Sequence, residues 1–165
     1  MRLRHTAVIV VAVAGALGTI PCDARAQNAS DASAIEQAVA TYLKPNFPAG
    51  PVAIDTRVKR GRVLIDSRST QRAGALALAL GAAQVHHDTI LVCGTTPADC
   101  KLRHVETLVR FEEPVISGDA ASLFVTIQTN TNIRRIPVAR EEKEVQLART
   151  SSGWKVTKVI LRAQS

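Results

Sequence analysis

Between Val105 and Arg162 the chain is punctuated as four consecutive β-strands, and that run limits the fold more than any other feature. Val105, Thr107, Val109 and Phe111 alternate with Glu106, Arg110 and Glu112, the period of two expected of a half-buried antiparallel strand. Over residues 122–129, Leu123, Val125 and Ile127 alternate in the same way with Thr126 and Gln128, and Asn130 continues the polar face. Glu141 to Arg149 and Trp154 to Arg162 complete the set. Ser117-Gly118-Asp119, Asn130-Thr131-Asn132 and Ser151-Ser152-Gly153 separate the runs, and such residues bond their own backbone or tolerate positive φ. The economical reading is an antiparallel meander. In its last strand Trp154, Val156 and Ile160 share one face while Val159 and Leu161 take the other. The alternation therefore breaks near Lys158, which predicts a bulge or a sheet covered on both sides.

A sheet with one apolar face needs cover, and two upstream segments supply it. Ile35, Val39, Tyr42 and Leu43 make one stripe of a helix from about Ser30 to Leu43, with Ser33 and Glu36 at capping-box spacing. Pro45 lacks the N–H that a continuing helix requires, so the helix ends near Lys44. A second helix runs from an N-cap at Ser69 to Leu80, with Ala73, Leu76, Ala77 and Leu80 on one face and Gly81 as a left-handed stop. Between the helices, Val52–Thr56 and Arg62–Asp66 flank a Lys59-Arg60-Gly61 turn and are expected to pair as a hairpin. Thr89 to Cys93 is a short strand.

The N-terminal residues have the parts of a secretory signal: Arg2, Arg4 and His5, an apolar run from Ala7 to Ile20, then Ala24-Arg25-Ala26 as a small-x-small cleavage site. The run is shorter than the roughly 20 residues that span a bilayer. Cys22 raises a lipoprotein alternative, which Pro21 disfavours because a small residue is wanted there. The expected product is a periplasmic or secreted domain of residues 27–165 with no integral membrane segment after processing. Loss of three arginines and one aspartate with residues 1–26 lowers the net charge from +7 to +5. The basic excess gathers at Arg57, Lys59, Arg60 and Arg62, and again at Arg134, Arg135 and Arg140. Solvated loops are the simplest role for these groups, and anionic lipid headgroups or an acidic partner the sharper one. Export removes most nucleic-acid partners, and five aromatic residues in all leave little from which to build a base-stacking platform.

Processing after Ala26 leaves two cysteines. In an oxidising compartment, Cys93 and Cys100, separated by six mostly turn-forming residues, are expected to join in a disulfide worth about 2.5 kcal/mol on the chain-entropy model. The alternative is a zinc site of Cys93, Cys100 and His104 completed by His86 or His87, at a spacing that matches no standard ribbon or finger.

Ala-Thr-Tyr-Leu at residues 40–43, Ser-Gly-Asp-Ala at 117–120 leading into Leu123-Phe124-Val125-Thr126-Ile127, and Leu147-Ala148-Arg149 followed by Gly153-Trp154-Lys155-Val156 resemble the NTF2-like, or SnoaL-like, superfamily. The resemblance implies an α+β fold: a curved antiparallel sheet wrapped as a cone around helices, an apolar pocket between them, and a homodimer through the outer sheet face. It implies no single activity, because members include isomerases, dehydratases, binding modules and assembly factors. This chain departs from the pattern in its extra hairpin and its cysteine loop.

His86-His87-Asp88 is the one cluster suited to acid-base chemistry, since a neutral imidazole oriented by a carboxylate moves protons near pH 7. Neighbouring strand residues face opposite ways, so at most one of His86 and His87 can enter a pocket. Asp55 and Asp66 are the distant carboxylates that could assist. A polar pre-strand loop is the simpler role for all three residues. Glu112-Glu113 and Glu141-Glu142 read as solvated strand ends. No nucleophilic serine motif, phosphate-binding glycine loop or cofactor signature occurs, and no cofactor is expected. The leading expectation is a non-catalytic binding module for a small apolar ligand or a protein partner. The alternative is a cofactor-independent isomerase or lyase using a His/Asp pair.

Overall fold

The computed structural model describes residues 22–60, 63–65, 69–85, 90–96, 99–133 and 136–165. Its class is α+β: two N-terminal helices lie on a mostly antiparallel, curved sheet. Helix α1 spans Cys22–Leu43 and a 3-10 turn at Lys44–Asn46 follows it. Strands β1 (Val52–Asp55), β2 (Val58–Arg60) and β3 (Val63–Ile65) precede helix α2 (Thr70–Leu80). Then come β4 (Ala83–Val85), β5 (Leu91–Val92), β6 (Lys101–Leu102), β7 (Thr107–Phe111) and β8 (Val115–Ser117). The long strands β9 (Ala120–Ile133), β10 (Ile136–Thr150) and β11 (Gly153–Gln164) close the chain.

The expected meander is present as β7-β9-β10-β11, with the short β8 added alongside β9. On the other side of β7 the sheet continues through β1 and β4, both parallel to their neighbours. This corrects the expected pairing of residues 52–56. Val52, Ala53 and Ile54 pair with Thr107, Leu108 and Val109, while the hairpin forms one step later between β2 and β3. Ala53 and Ile54 are fully buried, a burial that a two-stranded ribbon cannot provide and the centre of a sheet can.

The first strand of the meander departs from simple alternation for the same reason. Thr107, Val109 and Phe111 face the helices, but Leu108 is buried as well. It packs with Ala53, Ile90, Leu102 and Val105 in a second cluster beneath the β5–β6 hairpin. The Asn130-Thr131-Asn132 run lies within β9 and makes no turn. Asn130 instead clamps the small hairpin to the sheet: its carbonyl accepts from the Leu102 N–H at 2.9 Å, and its amide donates to the carbonyls of Leu102 and Val105 at 3.1 Å.

The expected bulge near Lys158 is present. Gln146 pairs with Lys158 but Leu147 pairs with Val156, leaving Thr157 as the extra residue. The slip returns Val159 to the core face, where it packs beside Val156.

Helix α2 matches its expectation: Ser69 Oγ accepts from the Arg72 N–H, the four expected residues are buried, and Gly81 takes φ 67° at the C-cap. Helix α1 does not begin at Ser30. Ser33 and Glu36 sit in its interior, Tyr42 is exposed, and the buried face is Ala32, Ile35, Glu36, Val39, Ala40 and Leu43. The expected signal segment before Cys22, and the alternative lipid-attachment context at Pro21, lie outside the described residues. None of the described helices is long and apolar enough to cross a membrane.

Candidate functional site

The curvature of β9 and β10 leaves a cleft of about 250 Å³ where α1 ends, lined by Leu43, Phe47, Pro48, Ile127 and Ala139 on its apolar side. Asn46, Thr129, Thr131, Glu141 and Lys143 supply its polar side. Pro45 creates the space: helix α1 stops before it, and the chain turns away through Phe47 and Pro48 and leaves the concave face uncovered. Glu141 is therefore no solvated strand end. It lies within β10, two residues from Lys143 and on the same face, and the two side chains form an ion pair of 2.7 Å. Thr107, directly opposite Thr129, is fully buried, and its hydroxyl has no hydrogen-bond partner among the described residues.

A second polar centre lies on the other face of the sheet. Asp55 at the end of β1 is 1 % exposed, and both its oxygens are taken by Arg57, from Nε at 3.0 Å and Nη2 at 3.1 Å. The Arg57 backbone N–H adds a third bond at 3.2 Å. Arg110 approaches the same carboxylate at 4.0 Å. Burial pulls the Arg110 pKa below the ordinary guanidinium value, an effect that the Asp55 charge opposes. Two arginines thus engage Asp55, one of the two carboxylates expected to assist a histidine. Val85 lies opposite Asp55 in the β1–β4 register, and His86, His87, Asp88 and Asp66 lie outside the described residues.

Two further buried carboxylates anchor α1. Asp31 accepts from Arg149 Nη1 at 3.1 Å and Nη2 at 2.6 Å, and from the Trp154 indole N–H at 3.4 Å. The hydrogen bonds from Arg149 hold the Asp31 pKa below its ordinary value of 3.8, against the opposing effect of burial. Glu36, 1 % exposed, accepts two bonds from Arg72 at 2.7 and 2.9 Å, and Arg72 also reaches Glu113. Glu113 thereby leaves the solvated-end role expected of it. Burial works against the Arg72 charge, but Glu36 and Glu113 more than offset it, and its pKa stands above the ordinary value. Each of these carboxylates is paired with an arginine, which suits anchoring better than proton transfer.

Cys93 and Cys100 form the expected disulfide across the β5–β6 hairpin. That pairing removes the thiolates a zinc site would need, and His104 stands exposed in the connecting bend with φ 65°. The described residues hold no group of three or more His, Cys, Asp or Glu placed to bind a metal. The cleft was only partly legible in the sequence. Lys143 and Glu141 carried the i, i+2 spacing of a shared strand face, but nothing marked that face as concave. Comparison with protein-family models, with curated proteins and with solved structures gives no match for this chain.

Proposed function

We propose that this is an exported binding module of NTF2-like type, which takes a small, mainly apolar ligand with one polar end in the cleft at the end of α1. The supporting observation is the composition of that cleft: an apolar wall of Leu43, Phe47 and Ile127 facing a short polar row that includes Lys143 and Thr129. A small-molecule site usually sets polar groups opposite an apolar wall; this cleft is lined by five residues of each kind, and about 250 Å³ lies just under the usual size range. Capture of Asp55 by arginines weighs against the His/Asp enzyme alternative, because Asp55 was one of the two distant carboxylates offered for it.

The test is a thermal-shift series with linear alcohols and phenols of increasing size, repeated on Ala139→Trp, which fills the cleft from a half-buried position. Saturable stabilisation by some members, lost in the filled variant at unchanged intrinsic melting temperature, is the expected result. Stabilisation that survives Ala139→Trp undiminished places the ligand elsewhere. Chemical conversion of a stabilising compound restores the enzyme reading.

A further inference from the structure

The outer face of the sheet carries a buried guanidinium with a hydrogen-bonding edge left open. Arg110 on β7 lies directly opposite Thr126 of β9 and shares that face with Asp55 of β1. Only 13 % of the Arg110 side chain is exposed. Its Nε is buried and has no hydrogen-bond partner among the described residues. Arg110 approaches Asp55 through Nη1, at 4.0 Å. A charge-assisted hydrogen bond is about 2.7 to 2.9 Å long, so Arg110 faces Asp55 as a charge and does not bond it.

Two other arginines show what this part of a guanidinium does when it has a partner. Arg57 grips Asp55 through Nε at 3.0 Å and Nη2 at 3.1 Å, and Arg72 grips Glu36 through Nε at 2.7 Å and Nη2 at 2.9 Å. Both use the edge whose parallel N–H groups match two oxygens of one carboxylate or phosphate. Arg110 turns Nη1 toward Asp55 instead, and Asp55 has both its oxygens committed to Arg57. Burial is the largest influence on the Arg110 charge and opposes it; Arg140 and Arg57 repel it, while Asp55 and Glu112 attract it. A buried donor on a charged group that bonds nothing is costly, and native structures keep few of them. Strand β7 runs between β1 and β9, so Thr126 stands on the side of Arg110 away from Asp55, where its hydroxyl adds a second donor in a site only 7 % exposed.

We propose that Arg110 binds a small oxyanion, a carboxylate or a phosphate group, on the outer face of the sheet, with the anion's oxygens on the Nε edge and the Thr126 hydroxyl beside them. The slight exposure of Arg110 suits a small ion or one anionic group of a larger molecule, and it disfavours a broad polyanion. The site lies across the sheet from the cleft and is independent of what the cleft binds.

The test is a thermal-shift titration of the purified protein in Tris–chloride buffer with sodium phosphate and, separately, sodium acetate, with chloride exchanged to hold the ionic strength constant. Expected is a saturable rise in melting temperature with at least one of the two anions, and the better of them names the group bound. Arg110→Met keeps a long side chain without the donors and should abolish the response. Arg110→Lys, a point charge without the fork, should weaken the apparent affinity about tenfold or more. Thr126→Val leaves every arginine in place and should weaken it about fivefold, the equivalent of one hydrogen bond; it decides the matter if Arg110→Met does not fold. Ala139→Trp fills the cleft on the opposite face and should respond as the parent does. In proton–nitrogen NMR spectra of the arginine Nε–H groups, the one resonance missing from Arg110→Lys should move as the anion is added. No saturable rise with either anion, a full response in Arg110→Met, a full response in Thr126→Val, or an unmoved Arg110 resonance would overturn the proposal. So would loss of the response in Ala139→Trp, which would assign the anion to Lys143 in the cleft.

Discussion

Trp154 shows how one residue can tie sequence, packing and electrostatics together. It follows the tight turn at Gly153, its ring is buried, the Arg149 guanidinium lies 4.5 Å above the ring centroid, and its N–H points to Asp31 on α1. Burial on the face of Val156 was legible from alternation alone. The partners were not, because Asp31 lies 123 residues away in the chain. Trp154→Ala should lower stability by about 3 to 5 kcal/mol, the range for removing a large buried side chain. Trp154→Phe keeps a ring beneath Arg149 and loses the N–H bond, a deficit nearer 1 kcal/mol. Urea unfolding of the two variants separates packing from hydrogen bonding, and a Trp154→Ala deficit below about 1 kcal/mol would show that the ring carries little of the core.

At the scale of elements, the strands of the meander and helix α2 were readable because period, caps and turn residues are local properties. The bulge in β11 was readable as a break in that period. Pairing partners were another matter: residues 52–56 look the same whether they join a ribbon or the centre of a sheet, and only the distant β7 decides between them. Helix α1 was misread at Glu36, which has the spacing of a capping residue but lies in the interior of the helix and meets Arg72 of α2. That contact makes a sharp prediction. Arg72→Leu takes from the buried Glu36 carboxylate two hydrogen bonds and the opposite charge that makes them and should cost about 2 to 3 kcal/mol, whereas adding Glu36→Leu should recover part of the loss by making the contact apolar. A double-mutant cycle from denaturant melts measures this. If the double variant is as unstable as the sum of the singles, the pair is not coupled as the geometry requires.

Across the whole molecule, α1 is held near its middle by Asp31, which meets the C-terminal hairpin, and further along by Glu36, which meets α2, while Leu43 packs into the core near the cleft. The candidate cleft depends on this placement, since its apolar wall begins at Leu43. The sequence announced the helix and its proline stop, but not the acidic anchors that fix where the helix lies. Asp31 makes the anchoring sensitive to acid. Its folded-state pKa is depressed below 3.8, chiefly by hydrogen bonds from Arg149, so the unfolded chain binds the proton more readily than the folded one. The stabilisation is therefore full above the ordinary aspartate range and is lost as pH falls through the depressed folded value. Asp31→Asn removes the charge at every pH while keeping the side-chain shape. It should be less stable than the parent at pH 7, and the gap should narrow as the pH is lowered below 3.8 toward 2, because the parent loses the same interaction by protonation. Urea midpoints of the two proteins measured from pH 7 to pH 2 test this. Curves that stay parallel through the acid range would mean that Asp31 titrates alike in both states and that its bonds to Arg149 contribute nothing to the seating of α1.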